Sequence, residues 1–352
     1  MTRQIHPGAW WCWAIALAAT AARTTNLVVL GLIAVVTGVV ATACRLDGPL
    51  GRTWRLFAKI AVGVIVIRLA LQIVFAPRLP GTTLFTIPSV TLPGWMAGIS
   101  IGGAVTVESL LSGLAQGVRL AVLLLCFGAV NSVSSPARLV RAMPNVLYEA
   151  GVATTIALTT APQAVLAAAR VHEARRLRGR PTTGPAALRG LAMPVLDGAL
   201  DRAITVAASM DVRGYGRSGD HPPAGRRQAS VALVAGLLAA AVGAYGVFDP
   251  GAPPALAIGG VALGTALLAV GVVAGRGASI RTRHRSLRWD GRAWWVAVSG
   301  VPAIAASIVV GVVDPGALDP SYFPVGAQRL PLLLAAGCAA ALVPVLVAGR
   351  PT

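Results

Sequence analysis

The sequence is poor in the residue types that most catalytic and ligand-binding sites use. Its 352 residues include 12 acidic residues, four histidines and four cysteines. The histidines and cysteines are scattered singly, which predicts neither a metal site nor a disulfide framework. The only lysine, Lys59, is not part of a Gly-Lys-Ser/Thr loop, so the chain lacks the loop that cradles ATP phosphates in P-loop proteins. We therefore expect no cofactor and no metal, and we expect the chain not to be an enzyme.

Apolar residues dominate instead. Hydrophobic residues make up 56% of the chain and the mean hydropathy is +0.74, which is more than a soluble core of this size would bury. The composition predicts an all-α polytopic membrane protein. About eight transmembrane helices are expected, because eight apolar stretches follow one another, the first of them short. They lie near residues 10–22, 27–44, 57–76, 106–131, 231–248, 254–275, 293–312 and 331–349.

The distribution of basic residues predicts the orientation of these helices. The formal net charge is +18, and all basic residues except Lys59 are arginines. If the N-terminus lies inside the cell, most arginines fall in inside segments, and only Arg23, Arg78 and Arg329 fall outside. Basic loops favour the cytoplasmic side of a membrane. We therefore predict a multi-pass protein of the cell membrane with both termini in the cytoplasm.

Two further apolar runs, at residues 149–169 and 191–212, are predicted to be helices that lie along the cytoplasmic face. If both crossed the membrane, the arginine-rich link between them would lie outside, against the charge bias elsewhere. Pro162 is expected to kink the first helix, because it removes a backbone donor. The second helix carries one narrow polar stripe with a spacing of four residues. The stripe consists of Asp197, Asp201, Thr205 and Ser209.

These elements divide the chain into three parts. Residues 1–133 are predicted to form a bundle of about four transmembrane helices, and residues 230–352 to add about four more. Residues 134–229 are predicted to form a cytoplasmic module of two or three helices. This module holds thirteen arginines and six acidic residues, which indicates a surface that binds a partner.

Each of the two module helices ends in an arginine followed by a glycine. Residues 173–179 read Glu-Ala-Arg-Arg-Leu-Arg-Gly, and residues 209–215 read Ser-Met-Asp-Val-Arg-Gly-Tyr. A local explanation is helix capping, because a cation favours the C-terminal end of a helix and glycine adopts the left-handed cap conformation. An arginine at a helix end can also enter a groove on another protein and bind carboxylates with two parallel hydrogen bonds.

At these residues the sequence resembles the transmembrane T component of energy-coupling factor (ECF) transporters, the family that includes the cobalt permease CbiQ. In that family two cytoplasmic coupling helices each end in Ala-Arg-Gly, and here Leu177 and Val212 occupy the alanine positions. Residues 134–142 and the surroundings of Arg119 are also similar to segments of the family. The resemblance covers about residues 10–248.

The resemblance implies a coupling subunit of an ATP-driven importer for a vitamin or a transition-metal ion such as cobalt. It implies that the two helix ends dock on two ATPase subunits, or on one fused tandem ATPase, and that a separate substrate-binding membrane subunit completes the importer. The bilayer is the other expected partner, and no nucleic acid is expected. The residues implied in ATPase docking are Arg178, Gly179, Arg213 and Gly214, supported by Arg175, Arg176, Asp211 and Tyr215.

Other classes of function fit the sequence less well. A stand-alone secondary transporter usually has ionisable groups near the membrane midplane and repeated halves, whereas only Arg68 and Arg119 are clear intramembrane charges here. Arg119 is either functional or paired with a neighbouring helix, and the sequence leaves both open. A membrane enzyme would need convergent carboxylates or metal ligands, which the sparse acids and histidines do not offer.

The apolar stretches beyond residue 248 exceed the usual length of the family. We expect them to form an accessory bundle. On this expectation, truncation near residue 248 would leave ATPase binding intact.

Overall fold

The structure is a computed structural model, and it supports the expected class of fold. It describes residues 5–44, 53–75, 81–91, 100–142, 148–180, 184–215, 223–248, 253–276, 289–322, 326 and 328–348. Of these residues 83% are helical, and among them six helices are long and apolar enough to cross a membrane. The chain therefore has the make-up of an all-α polytopic membrane protein, as its composition predicts.

Helices make up nearly all of the described part of the chain. In chain order they are α1 (Pro7–Ala22), α2 (Leu27–Ala43), α3 (Thr53–Val74), α4 (Val107–Val133), α5 (Pro136–Arg141), α6 (Tyr148–Leu177), α7 (Pro185–Val212), α8 (Pro223–Phe248), α9 (Pro254–Arg276), α10 (Gly291–Ser299), α11 (Val301–Val313), α12 (Pro315–Leu318), α13 (Leu332–Ala340) and α14 (Val343–Ala348). Two strands, β1 (Thr83–Thr91) and β2 (Ser100–Thr106), lie between α3 and α4.

All eight apolar stretches identified in the sequence coincide with helices. Five of them, in α3, α4, α8, α9 and the α10–α11 pair, are among the six helices long enough to cross a membrane. The sixth is in α6, at Ala150–Leu177, which the charge distribution placed along the cytoplasmic face. It continues through Pro162 as one helix. The remaining stretches, in α1, α2 and the α13–α14 pair, are shorter, so the total of eight spans stays a prediction.

An antiparallel β-hairpin, which the all-α prediction did not include, precedes α4. β1 pairs with β2 with two register shifts. Gly102 and Gly103 in β2 have φ angles of +83° and +134°, which side chains rarely permit. Glu108 in the first turn of α4 accepts hydrogen bonds from the backbone N–H of Thr82 at 3.0 Å and from its hydroxyl at 2.9 Å. The hairpin is thereby tied to the start of α4.

The chain forms two compact units, residues 1–142 with 285–352 and residues 143–284. In the first unit α1, α2 and α4 share one apolar core with the C-terminal helices α10, α11, α13 and α14. The largest fully buried side chains of this core come from both ends of the chain and include Trp13, Leu17, Leu30, Ile33, Val296 and Leu334. The helices after residue 290 thus belong to the main core and not to an accessory bundle. The boundary predicted near residue 230 falls inside the second unit.

Trp13 joins α1 to the C-terminal helices. Its side chain is fully buried, and its indole Nε1 donates a hydrogen bond to the Ala341 carbonyl at 3.0 Å. Ala341 lies at the break between α13 and α14, where carbonyl groups lack intrahelical partners. A second break, at Gly300 between α10 and α11, also faces α1. A Cβ there would lie 2.9 Å from Cβ of Ala16 and 3.0 Å from the Trp13 carbonyl oxygen, so the two backbones meet closely.

Asn26 ties the turn between α1 and α2 to the segment that precedes α13. The residue is fully buried, and its Oδ1 caps α2 by accepting a hydrogen bond from the N–H of Val28 at 3.0 Å. Its Nδ2 donates to the carbonyl groups of Ala317 at 2.9 Å and Arg329 at 2.8 Å. One side chain therefore connects segments some 300 positions apart in the sequence.

Replacing Asn26 should separate these two roles. We expect Asn26→Ala to lower the free energy of unfolding by roughly 2–4 kcal/mol, because it removes a helix cap and leaves buried carbonyl groups without donors. Asn26→Ser keeps a side-chain oxygen that can cap α2 and loses the two amide donors, so its loss should be smaller than that of Asn26→Ala. Thermal unfolding of the purified proteins in detergent measures both. Equal stability of the three proteins would show that the network contributes nothing.

In the second unit α8 and α9 pack along a seam of glycine and alanine. A Cβ on Gly260 would lie 2.5 Å from the Cα of Gly243, and one on Gly264 would lie 2.6 Å from the backbone nitrogen of Ala240. Small residues let helix backbones approach closely, which is a main source of helix association in lipid. The seam therefore accounts for the close pairing of α8 and α9.

A bulky residue in the seam should push the two helices apart. We expect Gly260→Leu to destabilise the protein by about 1–3 kcal/mol, because the clash involves backbone atoms that cannot move aside alone. In contrast, a Cβ on the adjacent Gly259 would have nothing within 4 Å. Gly259→Leu is therefore a matched control, and it should be neutral or slightly stabilising because leucine favours helix. Equal melting temperatures of the two variants would contradict the seam.

Candidate functional site

The first Arg-Gly helix end is closed by a pair of backbone hydrogen bonds. Gly179 has a φ of +67°, the left-handed conformation that glycine adopts readily. Its N–H donates to the Arg176 carbonyl at 3.0 Å, and the N–H of Arg180 donates to the Arg175 carbonyl at 3.1 Å. These two bonds define a Schellman motif, which satisfies carbonyl groups that the helix leaves unpaired. Arg178 is the residue just before the glycine.

The second helix end repeats this arrangement. Gly214 has a φ of +72°, and its N–H donates to the Asp211 carbonyl at 2.8 Å. The N–H of Tyr215 donates to the Met210 carbonyl at 2.9 Å. Arg213 is the C-cap residue of α7 and again precedes the glycine. The two ends therefore share one backbone geometry, with arginine and glycine at equivalent positions.

Both ends present an apolar side chain and an arginine to their surroundings. The apolar residue before each arginine is almost fully exposed, at 80% for Leu177 and 90% for Val212. Arg178 and Arg213 are exposed as well. Within the described residues neither guanidinium has a hydrogen-bond or ionic partner. Each helix end thus offers an apolar side chain and an unpaired cation on a backbone that the cap holds rigid.

The supporting residues predicted around these ends have different surroundings. Arg175 is half-buried and contacts Gly190 of α7, whereas Arg176 is exposed. Asp211 supplies the carbonyl that closes the second end, and its side chain is exposed. Tyr215 is half-buried. Arg175 of α6 thus contacts the other helix that carries an Arg-Gly end.

α7 leaves most of its surface uncovered. Along Pro185–Val212 only Ala187 is buried. The predicted polar stripe is exposed, and two of its hydroxyl groups bond within the helix: Thr205 donates to the Asp201 carbonyl at 2.9 Å and Ser209 to the Val206 carbonyl at 2.7 Å. Next to it runs an exposed apolar stripe of Leu196, Leu200 and Ile204. A helix with this much apolar exposure needs lipid or a partner to cover it.

Arg119 belongs to the first unit, whereas the two helix ends belong to the second. Its guanidinium donates to the carbonyl of Ala22, the last residue of α1. A cation is favourable there, because the last carbonyl groups of a helix carry partial negative charge. Arg68 of α3 similarly donates to the side-chain carbonyl of Gln116 in α4. These bonds favour the interpretation of Arg119 as a charge paired with a neighbouring helix.

Sequence reasoning missed several polar contacts between helices. Gln72 of α3 donates to the Ser109 hydroxyl of α4 at 2.9 Å, and Gly113 of α4 makes room for it. The signal was available in the Gly-x-x-x-Gly spacing of Gly113 and Gly117, which is typical of close helix packing. Among the described residues, no group of three or more His, Cys, Asp or Glu side chains could hold a metal ion.

A comparison of the sequence with the models of known protein families finds no match, and a search of the curated proteins finds no similar sequence.

Proposed function

We propose that this chain is the transmembrane coupling subunit of an ECF-type importer driven by ATP. The observation that carries the proposal is the repeated helix end: two Schellman-capped termini, each with an exposed apolar side chain followed by an arginine that is unpaired within the described residues. Two equivalent tips suit a machine with two equivalent ATPase subunits, or one fused tandem ATPase with two similar halves. The resemblance to the T components of ECF transporters rests on these same residues.

The geometry suits docking for a physical reason. Arginine presents a planar fork of donors that matches a carboxylate or a pair of carbonyl groups, and the cap below it restricts the backbone. Less conformational entropy is then lost when the guanidinium enters a groove. The exposed Leu177 and Val212 would supply apolar contact beside each charged group.

The remaining parts of the proposal concern topology and partners. We place the protein in the cell membrane with eight spans, with both termini and the helices α6 and α7 on the cytoplasmic side, because basic residues concentrate there. A separate substrate-binding membrane subunit would choose the cargo, a vitamin or a transition-metal ion such as cobalt. This chain would transmit the closing of the ATPases to that subunit and would not itself bind ATP.

Purification from native membranes tests the proposal. The affinity-tagged chain should bring down ATPases that carry phosphate-binding loops, together with a second polytopic membrane protein. Proteoliposomes that contain the whole complex should show ATP-dependent uptake, and the chain alone should show none. Uptake by the purified chain alone, driven by an ion gradient, would contradict the proposal and would favour the alternative of a stand-alone secondary transporter.

A further inference from the structure

Arg175 in the last turn of α6 lies directly against Gly190 in the second turn of α7. A Cβ built on Gly190 would lie 2.6 Å from Cζ and 2.7 Å from Nη2 of Arg175. Non-bonded carbon atoms normally pack at about 3.5–4.0 Å. Any side chain at position 190 would therefore displace the guanidinium, and the contact in its present form requires glycine.

Arg175 also helps to close the first helix end. Its carbonyl oxygen accepts hydrogen bonds from the N–H groups of Arg178 at 3.2 Å and Arg180 at 3.1 Å. The backbone of Arg175 thus helps to close the first helix end, while its side chain contacts the start of α7. Its neighbour Arg176 is exposed.

The contact lies near the N-terminal end of α7, far along the helix from the second Arg-Gly end. The buried part of α7 is confined to its start, since Ala187 is its only buried residue. From Gly190 to Arg213 the helix is about 34 Å long at 1.5 Å per residue. A rotation of about 10° at Gly190 would therefore move the second tip by about 6 Å. If each Arg-Gly end binds a groove on an ATPase subunit and the two grooves are a fixed distance apart, a movement of this size would prevent both ends from binding at once.

We propose that Arg175 is a positioning residue: seated on Gly190, it sets the direction of α7 and thereby the spacing of the two Arg-Gly ends. The consequence for ATPase engagement rests on the function proposed above. The contact itself is a property of this chain and can be tested without any partner.

Electron–electron double resonance on the full-length chain in nanodiscs measures the spacing. Spin labels go on Glu173→Cys in α6 and Ser209→Cys in α7, both at exposed positions, in a background with the exposed Cys12 replaced by serine. The other three cysteines are buried. We expect Gly190→Ala and Arg175→Ala each to shift the mean distance by about 4–8 Å or to broaden its distribution by as much. Gly198→Ala in α7, where nothing lies within 4 Å, is the matched control and should change nothing.

The double variant Arg175→Ala/Gly190→Ala distinguishes loss of the contact between the guanidinium and Gly190 from a general destabilisation of α7. Once Arg175 is alanine, the additional change Gly190→Ala should have no further effect, because the methyl group no longer displaces anything. Unchanged distances in both single variants would overturn the positioning role. Fully additive shifts in the double variant would overturn it too.

Capture of the ATPases in the same variants tests the consequence. If the two ends can no longer engage together, affinity for the ATPases should fall by about a hundredfold in Gly190→Ala and stay unchanged in Gly198→Ala. Altered distances with unchanged affinity would overturn the link between spacing and docking. If even the wild-type chain captures no ATPase, the proposed function fails, and the distances alone decide whether Arg175 directs α7.

Discussion

The double variant Arg178→Ala/Arg213→Ala is expected to lose the ATPases during purification and to abolish uptake, while the membrane part still inserts and folds. Removing one partner of a buried, hydrogen-bonded charge pair costs about 2–5 kcal/mol, since the other partner stays buried without compensation. Each single variant should therefore weaken assembly by about thirtyfold or more. Co-purification of the ATPases, together with uptake in membranes, measures both effects.

Lysine variants and a neighbouring arginine distinguish docking from capping. If the ends dock, Arg178→Lys and Arg213→Lys should rescue poorly, because the bidentate fork is lost. If the arginines act only by stabilising the C-terminal ends of the helices, lysine should be nearly as effective. Alanine should then lower the free energy of unfolding by only about 0.3–1 kcal/mol. Arg176→Ala removes an exposed charge one turn or less from the first tip and should be mild. Normal assembly and uptake in the double alanine variant would end the docking hypothesis.

Truncation before α10 is expected to destroy the first unit. The chain would lose the helices that line the core against α1 and α2, among them the fully buried Val296 and Leu334. The indole Nε1 of Trp13 and the amide of Asn26 would lose their acceptors, Ala341 and Arg329. Each unpaired buried polar group costs about 1–3 kcal/mol, and van der Waals packing drives helix association in lipid. We expect the truncated chain to be degraded or to aggregate.

Deletion of the α8–α9 hairpin is the matched control for this truncation. The hairpin belongs to the second unit, and under the proposed topology its two spans can be removed without reversing the helices that follow. A chain that lacks it should keep the protease resistance and monodispersity of the first unit. Size-exclusion chromatography and limited proteolysis compare the two deletions. A stable, monodisperse chain after truncation before α10 would show that the C-terminal helices form the accessory bundle expected from the sequence.

The sequence by itself determined the local features of this protein. Apolar stretches located eight helical regions, because a membrane-spanning helix must be apolar over its length whatever it packs against. The Arg-Gly pairs at 178–179 and 213–214 predicted the ends of α6 and α7, because glycine readily adopts the left-handed conformation that closes a helix. Both glycines have that conformation in the structure. These properties depend on a few neighbouring residues, so a linear pattern is enough to find them.

Only the tertiary structure decided which helices pack together. Hydropathy varies little around helices such as α2 and α9, and lipid is as apolar as a helix surface, so their sequence pattern carries little information about partners. The choice depends on contacts between distant positions. Trp13 bonds to Ala341, and Asn26 bonds to Arg329. Arg175 rests on Gly190, and no periodicity marks that glycine as different from Gly198, which faces open space in the same helix. The core shared by the N-terminal and C-terminal helices depends on such contacts, and so does the direction proposed for α7. Each contact joins two segments that are separate in the sequence, so a local pattern cannot reveal it.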